Sequence, residues 1–521
     1  MKLYISAGYN KKNIPELILK NNLYGLDIDD RAGQFAIISV MLKAREYDSE
    51  IFNKIDFNSL NILSIPESNP ELRQYANDIK DKEVHEIVDY LINTFENGKE
   101  IGSLLIVEEK DYDKVTKYFE EATPNIFNRL LWEGLKDIIR VSKILSKKYD
   151  VVVTNPPYML KKNFTERLRE YVEDNYNNQS SDLCTAFMAN TLGNKNGYNA
   201  IINMQSWMFL QSYEAFRKEI INNYTIFSLL HLGAYAFEDL NGEVVQTVTL
   251  IYNTYIKKNV DTLYYRLVES DFKEKEIRFL KKDTSIKYLV NNSKFEKIKG
   301  YTFAYWIKDN SYNCLISNKS YGEFVDTKVG LSTGGNDYYL RAWYEIDIND
   351  FSKKCDNKKY KEYIYGGKGV EYKKWYGNRI YVINWENDGF EIKNNKKSTI
   401  RNEEYYFKET VAFSTIASNT SRWYMDNAII DVNFRAMFVK DNRVLSLKSI
   451  LALLNSIIAK YYNKIFSSTL ALNVYDIERI PIINSNKYKQ TEMYVNKNIE
   501  LAKNYWDSFE TSWDFKKHPL A

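Results

Sequence analysis

Ten residues carry the most specific chemistry in this chain: Tyr149-Asp150-Val151-Val152-Val153-Thr154-Asn155-Pro156-Pro157-Tyr158. The Asn155 side-chain oxygen and the Pro156 carbonyl are two acceptors on adjacent residues. The Tyr158 ring follows two positions later. Together they suit an aromatic amine such as the exocyclic nitrogen of adenine. That nitrogen is a poor nucleophile because its lone pair is delocalised into the ring. Two acceptors on its N–H groups would localise the lone pair toward an incoming methyl group, while Tyr158 stacks on the base. No strong general base is needed if the amine attacks first and loses its proton afterwards. Alone, Asn-Pro-Pro-Tyr reads equally well as a Pro-Pro turn without chemistry, so its surroundings decide.

Those surroundings are expected to be an α/β sheet. Val151, Val152 and Val153 are β-branched and apolar, as a central, buried, parallel strand requires. Neither proline can donate to a strand ladder, so the strand stops in a rigid turn. Open α/β sheets bind ligands at the carboxyl ends of their strands. Earlier in the chain, Leu23-Tyr24-Gly25-Leu26-Asp27-Ile28-Asp29 reads as a strand ending in acids. A helix follows it, with Phe35, Ile38 and Leu42 on one face. Asp27 is the candidate for a ribose hydroxyl, and Ile28 for packing on an adenine ring. The alternative is that these acids only cap the helix.

The rest of the first half alternates in the same way. One amphipathic helix is expected over 71–98, a short strand over 102–107 and a second long helix over about 126–146. Ser181 or Asp182 caps a further helix. Strands are expected over 199–204, 226–232 and 244–255. That order predicts a mostly parallel sheet. Residues 258–300 read as a charged connector. Beyond it Tyr, Trp, Gly and Asn become dense and helical periodicity fades, apart from a helix over 446–462 and a polar helical tail over 487–510. Lys373-Lys374-Trp375-Tyr376-Gly377-Asn378-Arg379 interleaves basic and aromatic residues, a pattern that holds phosphates and stacks on bases, or else a surface turn beside an aromatic core.

Composition limits the remaining classes. A chain of 521 residues calls for two or three domains. The net charge of +3 is near balance, so contact with nucleic acid must come from local basic patches. Cys184, Cys314 and Cys355 form no CxxC pair, and His85, His231 and His518 are scattered. This argues against a zinc site, a disulfide framework and a His-based triad, and fits a cytoplasmic protein. No signal peptide and no apolar run long enough to span a membrane is present. No carboxylate-lysine cluster supports a nuclease.

Taken together, these residues resemble the γ-type amino-methyltransferases that form N6-methyladenine in DNA, and the PglX family of BREX phage-defence systems in particular. The resemblance covers essentially the whole chain. It rests on 22–32, on Asn155-Pro156-Pro157-Tyr158, on Gln205-Ser206-Trp207-Met208-Phe209-Leu210, on His231-Leu232-Gly233-Ala234 and on Gly242-Glu243-Val244-Val245-Gln246-Thr247. Lys374-Trp375-Tyr376-Gly377-Asn378 and Asn384-Trp385-Glu386-Asn387-Asp388-Gly389 extend it into the second region. It implies S-adenosylmethionine as methyl donor, double-stranded DNA as substrate and a target adenine flipped from the stack. It also implies a Rossmann-like catalytic domain over 1–257. A connector with an α+β target-recognition domain would follow over 258–484, and a helical segment over 485–521. By the same likeness Asn155 to Tyr158 are catalytic, Tyr252 is a second base-stacking aromatic, and Lys373, Lys374, Trp375, Tyr376 and Arg379 contact DNA. One departure stands out. Such enzymes carry a glycine-rich loop on a strand before the acidic one, and Ser6-Ala7-Gly8-Tyr9-Asn10 is not such a loop. The chain therefore reads as a middle portion of a larger enzyme, with a second polypeptide and other defence proteins as expected partners. The competing expectation is a non-catalytic DNA-binding or assembly subunit. A weaker one is a methyltransferase acting on RNA or another amine.

Overall fold

The computed structural model describes residues 1–121, 126–190, 193–237, 245–255, 260–352, 356–366, 372–414, 420–424, 428–441, 445–467, 473–483 and 488–520. Part of one motif, Gly242 to Val244, lies outside them. The chain forms two compact units. One comprises 1–204 with 222–287, the other 205–221 with 288–521.

In the first unit, strand β1 (Gly25–Asp27) pairs in parallel with β2 (Ile62–Ser64). The helix Asp30–Arg45 follows β1. Asp29 caps it, accepting the Arg31 and Ala32 backbone N–H groups. The face this helix buries is not the expected one. Met41 and Ala44 enter the core with Ile37 and Val40 packed alongside, whereas Phe35, Ile38 and Leu42 are exposed. Gly33 explains the choice: a Cβ there would stand 2.8 Å from Ser64 Oγ, so the helix lies close against β2 along its glycine side.

The expected strand over 102–107 is absent. Gly98–Ile101 is helical and Gly102–Leu104 is a 3-10 turn, joined at Gly102 by a φ of +65°. Leu104, Leu105 and Val107 are instead buried in a helical core. That core is built on the helices Lys82–Thr94 and Ile126–Leu145. Val84, Ile87, Val88, Leu91 and Ile92 recur at helical spacing on the first, and Leu131, Leu135, Ile138 and Ile139 on the second.

The main sheet contains β3 (Tyr149–Thr154), β4 (Gly193–Met204), β5 (Thr225–Gly233), β6 (Thr247–Asn253) and β7 (Asp261–Arg266), in the spatial order β3-β4-β6-β5-β7. It is mixed, not mostly parallel. β3 with β4 and β5 with β7 are parallel, but β6 is antiparallel to both β4 and β5. β6 thus runs against both of its neighbours. The second correction concerns β3. It is the edge strand, and Val151 and Val153 are 59% and 74% exposed. Their apolar character reflects a strand built for burial, while the described residues supply only β4 as its partner.

The second unit is α+β, as expected. Leu340–Ala342, Tyr381–Asn384, Tyr360–Ile364 and Phe351–Ser352 form one sheet in that order, with Ala428–Ile430 also on Tyr360–Ile364. Ser421–Tyr424, Thr410–Ser414, Phe434–Val439 and Val325–Val329 form an antiparallel sheet. The long helix expected over 446–462 is two helices, Leu447–Asn455 and Ile457–Phe466. Ser456 is extended between them (φ −80°, ψ 160°) and its hydroxyl accepts the Ala459 N–H. A serine that caps the next helix competes with continuation of the first. Ile457, Ile458 and Tyr461 consequently face outward.

Candidate active site

β3 ends at Thr154, and Asn155 begins the turn at its carboxyl end. Asn155 is exposed and Pro156 is buried. The Tyr158 hydroxyl lies 3.3 Å from Asn155 Oδ1 and 3.4 Å from the Ile202 carbonyl oxygen. Burial pushes the Tyr158 phenol up to about 12, with Cys184 and Asp182 adding to the effect. At neutral pH the phenol is therefore a donor, and it points at the acceptor that an incoming amine would use. An amine docking on Asn155 takes over an oxygen already oriented by a hydrogen bond.

The turn is held from behind. Met159 and Lys161 meet the segment preceding the helix Leu183–Ala189. The Leu183 N–H donates to the Met159 carbonyl at 2.9 Å, and the Lys161 N–H to the Ser181 carbonyl at 3.1 Å. Asp182, 3% exposed, caps that helix by accepting the Cys184 N–H at 3.0 Å. Burial raises its pKa, although the Cys184 N–H and thiol and the Met159 backbone work against the rise. Burial first, and then Asp182, keeps the Cys184 thiol well above its ordinary value. Sequence reasoning saw Asp182 only as a cap. The structure adds that this cap also pins the residues after Tyr158. The available signal was the apolar run Leu183 to Phe187 directly after an acid, which marks a buried helix start and not an exposed one.

The two strands that carry the remaining candidates approach one another. β1 ends at Asp27, and residues from both β1 and β3 line one cavity of about 500 Å³. Asp27 Oδ1 accepts the Asp29 N–H at 2.9 Å. Its carboxylate is exposed, and capping falls to Asp29, which leaves Asp27 available for a ribose hydroxyl. Ile28 is 42% exposed and packs against the open position of Gly102. These residues fit an adenosyl group: a carboxylate at a strand end beside an exposed aliphatic side chain. Tyr252 is placed differently from the base-stacking role assigned to it. It is 2% exposed, it stacks on Tyr224 at 6.0 Å, and its hydroxyl donates to the Met188 carbonyl at 2.9 Å. It borders the cavity but offers no free ring face as it stands.

The basic and aromatic stretch divides into surface and core. Lys373, Lys374 and Trp375 are half-buried and, with Leu501, Tyr505 and Trp506, line a cavity of about 480 Å³ against the helix Tyr488–Trp506. Lys373 Nζ sits 5.1 Å above the Tyr505 ring, and Lys374 Nζ donates to the Asn455 carbonyl at 3.2 Å. Tyr376 and Arg379 are buried. Arg379 donates to Tyr376 Oη at 2.8 Å and, through Nε, to Glu362 Oε1 at 2.6 Å. Burial opposes its charge, but the Glu362 carboxylate overcomes this and raises the guanidinium pKa. Arg379 thus does not reach solvent, which corrects its placement among surface contacts. Sequence alone could not separate it from Lys373, because the acid that buries it lies 17 residues earlier. Among the described residues no group of His, Cys, Asp and Glu forms a metal site, and no helix is long and apolar enough to cross a membrane.

Comparison with known proteins agrees with the resemblance drawn from the motifs. Residues 21–237 match the family described as Eco57I restriction-modification methylase. The chain is 32% identical, over an alignment of 556 residues, to the adenine-specific methyltransferase BrxX of Escherichia coli O9:H4 (strain HS). The alignment takes in 99% of this chain and 45% of that protein. It is 31% identical to the adenine-specific methyltransferase PglX of Lacticaseibacillus casei (strain Zhang), across 100% of this chain and 45% of that one. The chain spans a little under half the length of the curated relatives it matches. Its fold is similar to that of the Type IIL restriction-modification enzyme MmeI, solved in complex with DNA. The TM-score is 0.50 at 10% identity, covering 100% of this chain and 71% of the other. This chain is therefore similar along its whole length to part of PglX-type adenine-specific methyltransferases, with a methylase-type α/β region followed by an α+β region.

Proposed function

We propose that this chain forms the catalytic and target-reading part of a site-specific DNA N6-adenine methyltransferase in a phage-defence system. The observation that carries the reading is the Asn155 carboxamide at the carboxyl end of β3, oriented by the Tyr158 hydroxyl. S-adenosylmethionine supplies an electrophilic methyl group when bound. Asn155 Oδ1 and the Pro156 carbonyl accept the two N–H groups of a flipped adenine, Pro157 keeps the turn rigid, and Tyr158 lies against the base. As the N–C bond forms and the S–C bond breaks, positive charge develops on the amine. In this reading the Asn155 and Pro156 carbonyl dipoles stabilise that charge. The proton then leaves to water. Asp27 would hold the donor's ribose and Ile28 its adenine ring. Lys373, Lys374 and Trp375 are the DNA contacts this reading retains.

In this reading the methyltransferase domain, expected over 1–257, extends through β7 of the main sheet, with the connector and target-recognition domain after it to 484 and a helical segment over 485–521. The protein acts on double-stranded DNA beside other defence proteins, and it works in the cytoplasm. Two observations favour the competing reading, a DNA-binding subunit without catalysis: Tyr252 is enclosed, and among the described residues β3 pairs with β4 alone. Methyl transfer from labelled S-adenosylmethionine to double-stranded DNA separates the two. Asn155→Ala is expected to lower the rate at least 100-fold with donor affinity unchanged, and survival of the rate would overturn the catalytic assignment. Calorimetric titration with S-adenosylmethionine should show binding that Asp27→Ala abolishes. DNA binding with no donor binding would favour the non-catalytic subunit.

A further inference from the structure

In the second unit, the backbone at Trp375 takes a conformation that bulky residues avoid. The Tyr376 N–H donates to the Lys374 carbonyl at 2.8 Å, closing a three-residue turn with Trp375 at its centre and a φ of +70°. That is the rare and strained sense of such a turn, and a large side chain adopts it only when its surroundings impose it. Here the strand Ser421–Tyr424 imposes it. The Trp375 N–H donates to the Ser421 carbonyl, and the Trp375 carbonyl accepts the Trp423 N–H, both at 3.0 Å. Held in this way, Trp375 stands half-buried in the wall of the cavity of about 480 Å³ against the helix Tyr488–Trp506. Trp506 is 6% exposed and forms the floor, whereas Tyr372 and Tyr505 are more than half exposed and form the rim. The floor is fitted closely to the turn: a Cβ at Gly377, where φ is +120°, would stand 3.2 Å from Trp506 Cε3. Among the described residues no other aromatic ring stacks on Trp375.

Aromatic walls suit a planar ring. No residue lining the cavity is acidic and two are lysines, so the ring it suits carries negative charge. A nucleobase with its phosphate has both properties, and the cavity falls within the range of about 300–1,000 Å³ usual for sites that enclose a small ligand. In a paired duplex each base face is covered by its neighbours in the stack, so only an unpaired nucleotide has a face to offer. We propose that this cavity takes one unpaired nucleotide of a DNA strand. Its base lies against Trp375, and its phosphate meets Lys373, whose Nζ stands at the rim 5.1 Å above the Tyr505 ring. The inference deepens the DNA contact proposed for Lys373, Lys374 and Trp375 and rests on that reading. It does not depend on methyl transfer at Asn155.

The test measures binding of the full chain, by fluorescence anisotropy, to three duplexes of one sequence. One is fully paired, one carries a single extra thymidine, and one carries an extra abasic residue at the same place. Thymine has no exocyclic amine, which keeps the probe apart from the chemistry of Asn155. The extra thymidine is expected to tighten binding about tenfold or more over both other duplexes. Trp375→Ala should bring the three affinities together. Ala502→Trp, which fills the cavity from the helix and leaves the turn alone, should do the same, with circular dichroism confirming that both variants fold. With 5-iodouracil in place of the extra thymine, irradiation should join the DNA to Trp375 or Tyr505 of the unaltered chain, read by mass spectrometry of its peptides. The inference is overturned if the extra thymidine and the abasic residue bind alike, if the preference survives Ala502→Trp, or if the crosslink falls on Tyr158. Failure to bind any of the duplexes would overturn the DNA contact and this inference with it. Equal binding of all three would overturn this inference alone.

Discussion

Glu362→Gln tests whether Arg379 is a structural residue or a DNA contact. Glu362 and Arg379 are 1% and 5% exposed and share two hydrogen bonds, with Nε to Oε1 at 2.6 Å. Gln keeps the shape and one acceptor but removes the charge. The guanidinium is then left with Tyr376 Oη at 2.8 Å and the rings of Tyr376, Tyr424 and Trp513 between 5.1 and 5.9 Å from its carbon. Breaking a buried pair on one side costs about 3–5 kcal/mol, because a desolvated charge loses its counterion. The retained acceptor places Glu362→Gln at the lower end of that range, about 3 kcal/mol. Replacing both partners by methionine should cost less than either single change, since no charge is then stranded. Urea unfolding followed by tryptophan fluorescence reads the stability. The DNA arm uses Arg379→Met and the dependence of binding on salt. A residue that touches phosphate contributes about 0.9 to the slope of log K against log salt, and one that does not contributes nothing. Arg379→Met is expected to leave the slope unchanged while lowering stability. A slope reduced by about one, with stability intact, would refute the buried assignment.

Lys373→Ala should behave in the opposite way, reducing the salt slope by about 0.9 with unfolding unaffected within about 0.5 kcal/mol. His231 is buried, and burial first, then Arg266, holds its imidazole down to about 3. Its folded pKa lies below the ordinary value near 6.5, so its contribution to stability is complete above that pH and is lost as the pH falls toward 3. The expected slope is about 1.4 kcal/mol per pH unit over that window, visible in urea midpoints and absent in His231→Asn. Tyr252→Phe removes a buried hydroxyl that donates to Met188 and should cost about 1–2 kcal/mol in thermal or urea unfolding. Gly102→Ala places a side chain at φ +65° and against Ile28, and should cost about 1–3 kcal/mol. If Ile28 packs on the donor, this variant also weakens S-adenosylmethionine binding in calorimetry.

Local chemistry made much of this protein legible from its residues alone. Asn155-Pro156-Pro157-Tyr158 announces the end of a strand because two prolines cannot extend a ladder, and the structure ends β3 at Thr154. Asp29 before Arg31 and Ala32 announces a helix start because its carboxylate satisfies N–H groups only one turn away. The helix over 82–94 follows from apolar side chains that recur every three or four residues. Each of these signals is complete within a few positions. Tertiary structure decided whatever depended on a distant partner. Three valines in a row specify a strand, but whether it is central or at the edge depends on what lies beside it, and among the described residues β3 pairs with β4 alone. The helix after β1 has apolar residues on two faces, and the close approach of Gly33 to Ser64 chose between them. Lys373 and Arg379 look alike in sequence. Only the fold brings Glu362 to one of them, and in a low-dielectric interior that single neighbour turns a candidate DNA contact into a core ion pair.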